Sequence, residues 1–295
     1  MTVEIREGDS SLQEAFVQLK LARSPRTHRS QAEWVFVHSE DLDLFETRAA
    51  FIGDELVGWA STVHGTWFPP DIAMIHVTVA RAHERKGAGG ALFRAMVDHL
   101  PDHVTTIGTA VDDAEDDSLA IARGWGFQVT QHGVESELPL VDLPAPDPGP
   151  GVTLEDVSSL RFPDEDAVEA MLVDSQTNPE AAEGFVSRLE NYRRTAAGVD
   201  TPLAALARVD GEPAAIIVGE VKDGVLGIAY TGVGRSFRGR GLAFSLKQLG
   251  HLLAAEKGAT VCHTMNEASN AGIRHVNAKL GYRVIGGVYR LRRAR

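Results

Sequence analysis

Residues 231–247 read TGVGRSFRGRGLAFSLK, and this stretch decides the fold. A strand ending near Val233 runs into a turn holding Gly239 and Gly241, and a helix starts near Leu242. Glycine lets backbone N–H groups converge without a Cβ in the way, and the head of a helix adds the positive end of its dipole. Such a turn is a phosphate or pyrophosphate cradle, to which Arg238 and Arg240 can add charge-assisted donors. Spacing removes three other readings. No Gly-Lys-Ser/Thr follows, as a P-loop requires. Gly232-Val-Gly234 is followed by Arg235-Ser-Phe237, so the dinucleotide fingerprint is absent. An RGG-type RNA segment would be repeated and disordered, whereas this one joins an apolar strand to an apolar helix.

Working outward, the same order of signals occurs earlier in the chain. Residues 51–63, FIGDELVGWASTV, match 209–221, VDGEPAAIIVGEV, as a turn followed by an apolar strand. Residues 75–93, IHVTVARAHERKGAGGALF, answer to 230–246, and GWGFQV at 124–129 answers to KLGYRVI at 279–285. Glycines 53, 87 and 126 correspond to 211, 241 and 281, at offsets of 158, 154 and 155. A two-copy repeat follows. Between the copies lies LVDLPAPDPGPG at 140–151, whose four prolines and two glycines predict a stiff linker. The expected domains are therefore 1–140 and 152–295, joined by 141–151. Helical periodicity at Leu12–Leu21, Ala167–Val173 and Phe185–Thr195 precedes the strands of each half. The predicted fold class is α/β (α+β): two tandem domains, each a mixed, mostly antiparallel sheet flanked by helices.

Arg238-Gly-Arg-Gly241-Leu-Ala243 resembles the Q/R-x-x-G-x-G/A signature of the GNAT acyl-CoA N-acyltransferases. Residues 264–282, TMNEASNAGIRHVNAKLGY, are similar to the ending of that family's last helix. The first half resembles the family over about residues 3–138, and the tandem layout is similar to that of mycothiol synthase and related two-domain acyltransferases. The resemblance implies acetyl-CoA as co-substrate and a primary amine of a small molecule as acceptor. It places backbone amides of Arg238, Gly239, Arg240, Gly241, Leu242 and Ala243 on the CoA pyrophosphate. It gives Val233 an N–H for the thioester carbonyl and Asn270 a bond in the pantetheine region. A non-catalytic acyl-CoA-binding module and a protein or peptide N-acetyltransferase are the alternatives.

The chain departs from the family at the catalytic positions. The acid tyrosine falls at Asn277, which can orient the cofactor sulfur but is no acid. The strand glutamate falls at Gly227. Tyr230, Glu220 and His263 are stand-ins near the cleft, and Tyr230 with Asn277 is the expected catalytic pair. In the first half Glu84 holds the Q/R position, beside Arg85 and Lys86, and Ala122 holds that of the acid. Its carboxylate is expected to repel a diphosphate, so this half reads as a degenerate copy.

Composition bounds the rest. Residues 1–151 carry 11 Lys and Arg against 24 Asp and Glu, and residues 152–295 carry 18 against 17, within a total charge of −12. An acidic chain argues against nucleic acid, and the near-neutral half is the better host for an anionic cofactor. The run at 112–117, DDAEDD, reads as a solvated loop favouring the next helix's N-terminus. Eleven histidines and one cysteine, Cys262, show no metal spacing, and no metal is expected. The charged start and the lack of a long apolar run point to a cytoplasmic monomer or homodimer that binds no membrane. Trp67, before Pro69-Pro70, is a candidate for the cleft edge.

Overall fold

The structure is a computed structural model that describes residues 2–24, 27–37, 39–65, 69–177, 181, 186–199 and 201–295. The chain divides into two compact units, Met1–His132 with Val288–Arg295, and Gly133–Gly287. Among the described residues, no helix is long and apolar enough to cross a membrane. Trp67 lies outside the described residues.

The first unit runs β1 (Glu4–Glu7), α1 (Gln13–Arg23), α2 (Arg29–Val37), β2 (Leu42–Ile52), β3 (Glu55–Gly65), β4 (Ile72–Val79), α3 (Ala88–Asp98), β5 (Thr106–Asp112) and α4 (Asp116–Gly124). Neighbouring strands from β1 to β4 are antiparallel, and β4 is parallel to β5. The last strand comes from the far end of the chain. Residues 288–294 of β12 (Arg283–Ala294) pair antiparallel with β5.

The second unit repeats this plan. Its strands are β7 (Val152–Asp156), β8 (Pro202–Val209), β9 (Glu212–Lys222), β10 (Val225–Val233) and β11 (Val261–Glu267). Strands β7 to β10 are antiparallel neighbours, and β10 is parallel to β11. Residues 133–139 of β6 (Gln128–Pro139) close the edge against β11. Each unit thus takes its final strand from the other half of the sequence. The helices are α5 (Glu165–Ser175), α6 (Leu189–Ala197), α7 (Leu242–Glu256) and α8 (Ala271–Leu280). The sequence places the start of α6 at Phe185, which lies outside the described residues.

Strict alternation puts both faces of this sheet to use. Ala204, Leu206 and Ile216 pack with Val168, Leu172 and Leu189 of α5 and α6. Ala205, Ala207 and Ile217 pack with Leu242 and Leu246 of α7. Leu206 and Leu246 are fully buried, each stabilising by about 1.5–3 kcal/mol.

The proline-rich stretch belongs to the second unit instead of dividing the two. Leu140 donates its N–H to Thr260 O at 2.8 Å and joins the core of Leu203, Leu226 and Ala254, where Leu143 also packs. Ser245 Oγ donates to Asp147 O at 3.4 Å. The boundaries fall at 132/133 and 287/288 because the strand exchange, invisible to composition, sets them.

Candidate active site

The site in the second unit is where two parallel strands part. β10 pairs with β11 only from Val225↔Val261 to Ile228↔Thr264, and a register shift follows between Ile228 and Tyr230 on the β9 side. Beyond that point β10 stays paired with β9 alone, up to Val233↔Ala215. Gly234 donates its N–H to Ala214 O at 2.9 Å. Since neighbouring residues of a strand point their amides to opposite sides, the N–H groups of Val233 and Thr231 face the gap. The N–H of Val233 is therefore free of the β9 ladder.

A short 3-10 turn, Arg235–Phe237, leads from β10 to the glycines. Gly239 and Gly241 both sit at φ +78°, and a Cβ on either would meet nothing within 4 Å. Both positions therefore open onto space that no side chain of the described residues fills. At the head of α7 the amides of Leu242 and Ala243 have no intrahelical partner, and those of Gly239, Arg240 and Gly241 likewise donate to no backbone carbonyl among the described residues. Arg238 departs from expectation. Its N–H is used in the 3-10 turn, to Arg235 O at 3.4 Å. Its guanidinium turns back to Val233 O (3.3 Å), Ser175 O (3.1 Å) and Thr177 Oγ1 (2.9 Å). Arg238 therefore fastens the turn to β10 and to the end of α5, and adds no charge to the cradle. Arg240 lies over the Phe237 ring at 5.7 Å.

The remaining sequence candidates separate into those near the gap and those turned from it. Tyr230 is partly buried, and burial raises its pKa above the ordinary value. Its hydroxyl meets Ser175 Oγ at 2.7 Å, while Ser175 Oγ lies 2.6 Å from Leu172 O, so the tyrosine proton is the one donated to the serine. Asn270 caps α8, its Oδ1 accepting from Ile273 N–H at 3.3 Å. Asn277 is buried and turned inward: Oδ1 accepts from Lys247 Nζ at 2.8 Å, and Nδ2 donates to Asn266 Oδ1 at 2.7 Å. Glu220 and His263 share one row of the sheet, both in register with Gly227. A Cβ at Gly227 would meet nothing within 4 Å, so the missing side chain leaves a slot between carboxylate and imidazole. His263 Nε2 is 4.0 Å from Glu135 Oε1.

Among the described residues of this unit, three buried oxygens have no protein partner: Glu220 Oε2, Thr231 Oγ1 and Glu267 Oε2. Thr231 and Glu267 lie on β10 and β11 beyond the point where the strands part. Leaving such groups buried and unpaired costs about 1–3 kcal/mol each. They fit a site completed by a polar, threaded ligand with amides and carbonyls, as a pantetheine arm is.

The first unit has the same turn with different chemistry. Arg85 at φ +61° and Gly87 at φ +90° reproduce the left-handed bends of Gly239 and Gly241. Glu84 does not face the open space: its Oε1 lies 3.4 Å from Arg23 Nη2. The repulsion expected from Glu84 is thus relieved by Arg23. The same arginine pairs with Glu115 at 2.7 Å and with Ser118 at 3.0 Å, tying the end of α1 to the head of α4. These ion pairs stand where the second unit has Asn270. On β4, burial and then the Lys20 ammonium push His76 down to about 4.

Residues 11–127 match the Acetyltransferase (GNAT) family. They form a GNAT acetyltransferase domain. The matched stretch is the half whose turn reads as degenerate in sequence. The fold of the whole chain is that of tandem GNAT proteins. A GCN5-related N-acetyltransferase from Sphaerobacter thermophilus aligns at TM-score 0.78 and 19% identity over 99% of this chain and 95% of its own. A tandem GNAT protein of the clavulanic acid biosynthesis pathway aligns at 0.77 and 17%, over 99% and 98%. A glucosamine N-acetyltransferase region of a fungal multi-domain β-N-acetylglucosaminidase aligns at 0.74 and 15%, covering 99% of this chain and 38% of that one. No curated protein sequence matches the chain.

Sequence reasoning missed Thr231, Glu267, Asn266 and Lys247. Only Lys247 left a signal, as a lone cation within the apolar helix LAFSLKQLGHLLAAE.

Proposed function

We propose that the second unit binds acetyl-CoA along its glycine turn and strand gap and transfers the acetyl group to the primary amine of a small molecule. The observation that carries this reading is the pairing of an open turn at Gly239–Ala243 with two unsatisfied oxygens, on Thr231 and Glu267, carried by the two strands that border the gap. The co-substrate supplies the activated acetyl group. Gly239, Arg240, Gly241, Leu242 and Ala243 hold its pyrophosphate through their N–H groups. Val233 N–H polarises the thioester carbonyl, which lowers the barrier to attack. Asn270, at the head of α8, stands beside the pantetheine path.

Glu220 is the general base of this reading. A carboxylate oxygen that is buried and unpartnered can take the proton that the attacking amine must lose. The amine nitrogen then forms the C–N bond, the C–S bond breaks toward sulfur, and solvent protonates the sulfur as product leaves. Tyr230 gives its proton to Ser175, so it shapes the acceptor side and positions α5.

The test is release of CoA thiol from acetyl-CoA with a panel of polyamines, amino sugars, amino acids and lysine peptides. Turnover with small amines supports the reading. Turnover confined to peptides makes it a protein acetyltransferase. Binding without turnover makes the unit a cofactor-sensing module.

A further inference from the structure

Lys247 is a fully buried lysine of α7 with no carboxylate partner among the described residues. Its surroundings hold several titratable groups. α7 brings His251, β11 brings Cys262, and the residue before β12 brings Tyr282, whose hydroxyl meets His251 Nε2 at 2.6 Å and Cys262 Sγ at 3.0 Å. The Tyr282 ring lies under Lys247 Nζ at 4.7 Å. Burial pushes His251 down to about 3, Cys262 up to about 11 and Tyr282 well above its usual value. Glu137 of β6 acts on Cys262 from the far edge, while β8 and β9 present Leu203 and Ile217 to α7. At neutral pH the cluster therefore contains one charge, that of Lys247. An unpaired buried ammonium is expensive, and a fold that needed only packing here would be served better by an apolar side chain.

That charge has a directed outlet. Lys247 Nζ donates to Asn277 Oδ1, and Asn277 Nδ2 donates to Asn266 Oδ1. Both amides are aligned with their donor ends away from the ammonium, and hydrogen bonds in series polarise one another. The chain ends on Asn266, a half-buried residue of β11 two positions beyond Thr264, where β11 has left β10. Asn266 Nδ2 has no protein partner among the described residues. It is a polarised donor on the strand that borders the gap.

We propose that Lys247, acting through Asn277 and Asn266, is the positive pole that stabilises the sulfur as it leaves the acetyl group. This rests on the acetyl-CoA reading above. Lys247 is a positioning residue in this scheme, and Asn266 is the group that meets the sulfur. The device supplies by electrostatics what an acid at position 277 would supply by proton transfer. The sulfur leaves with the C–S electron pair as thiolate and is protonated from solvent.

The experiment compares the binding of CoA with that of S-methyl-CoA from pH 6 to 9, by calorimetry on the full chain. Stabilised thiolate makes CoA bind more tightly as its thiol ionises, whereas S-methyl-CoA cannot respond. In the wild type the preference for CoA should rise about threefold between pH 6 and 8, as expected when a thiol of ordinary value near 8.5 is lowered by about one unit. It should level off above that, because burial pushes Lys247 itself down to about 8. Lys247→Met and Asn266→Ala should hold the rise below about twofold with S-methyl-CoA affinity kept. Asn266 is half-buried, so its variant serves if Lys247→Met does not fold. An undiminished rise in Asn266→Ala, or no rise in the wild type, overturns the proposal. Failure of S-methyl-CoA to bind the wild type removes the acetyl-CoA reading itself.

Discussion

Gly241→Val separates the cost of folding from the cost of binding. Gly241 sits at φ +78° and ψ 2° as the N-cap of α7. An L-residue held there costs about 1–2 kcal/mol in backbone strain. No packing cost adds to this, because its Cβ meets no protein atom within 4 Å. At about 2–4 °C per kcal/mol for a unit of this size, melting should fall by only a few degrees. The branched side chain instead stands in the open space where the proposed diphosphate would lie. Acetyl-CoA affinity should fall at least about tenfold, or about 1.4 kcal/mol, as measured by calorimetric titration. Gly87→Val, at φ +90° and likewise in open space, is the matched control. It carries the same backbone strain in the first unit and should leave the titration unchanged, with one site per chain. A folded Gly241→Val with wild-type affinity refutes the cradle argument. Loss of binding in Gly87→Val instead moves the working site to the first unit.

Glu220→Gln should lower kcat by about a hundredfold while leaving acetyl-CoA affinity intact; steady-state rates near wild type would place the base elsewhere. Burial holds His251 near 3 against an ordinary 6.5, so between these values the unfolded chain binds more protons than the folded one. Stability should then fall as pH drops through that window. Thermal melts at pH 7 and 4.5 check this, with a smaller loss expected in His251→Gln and an equal loss counting against it.

The sequence by itself determined the local devices. The unbroken apolar run AAIIV at 214–218 specified a strand with two buried faces, because side-chain direction has a period of two residues. The glycines at 239 and 241 specified the turn, because left-handed backbone excludes most other residues. The repeat spacing specified two similar units. Arg85 shows the limit of that logic: the same left-handed bend persists there without glycine, held by the surrounding structure.

Only tertiary structure decided where side chains point and which strands meet. Residues 133–139 and 288–294 close the edges of sheets built by the opposite halves of the sequence, a pairing that depends on long-range register and leaves no local mark. Arg238 and Glu84 read as opposite charges at the cradle, yet both turn back toward the end of the first helix of their unit. Asn277 reads as a substitute for a catalytic acid but lies buried against Lys247. Charge and spacing are properties of the chain, whereas the partner that neutralises or redirects a charge is chosen by packing in three dimensions.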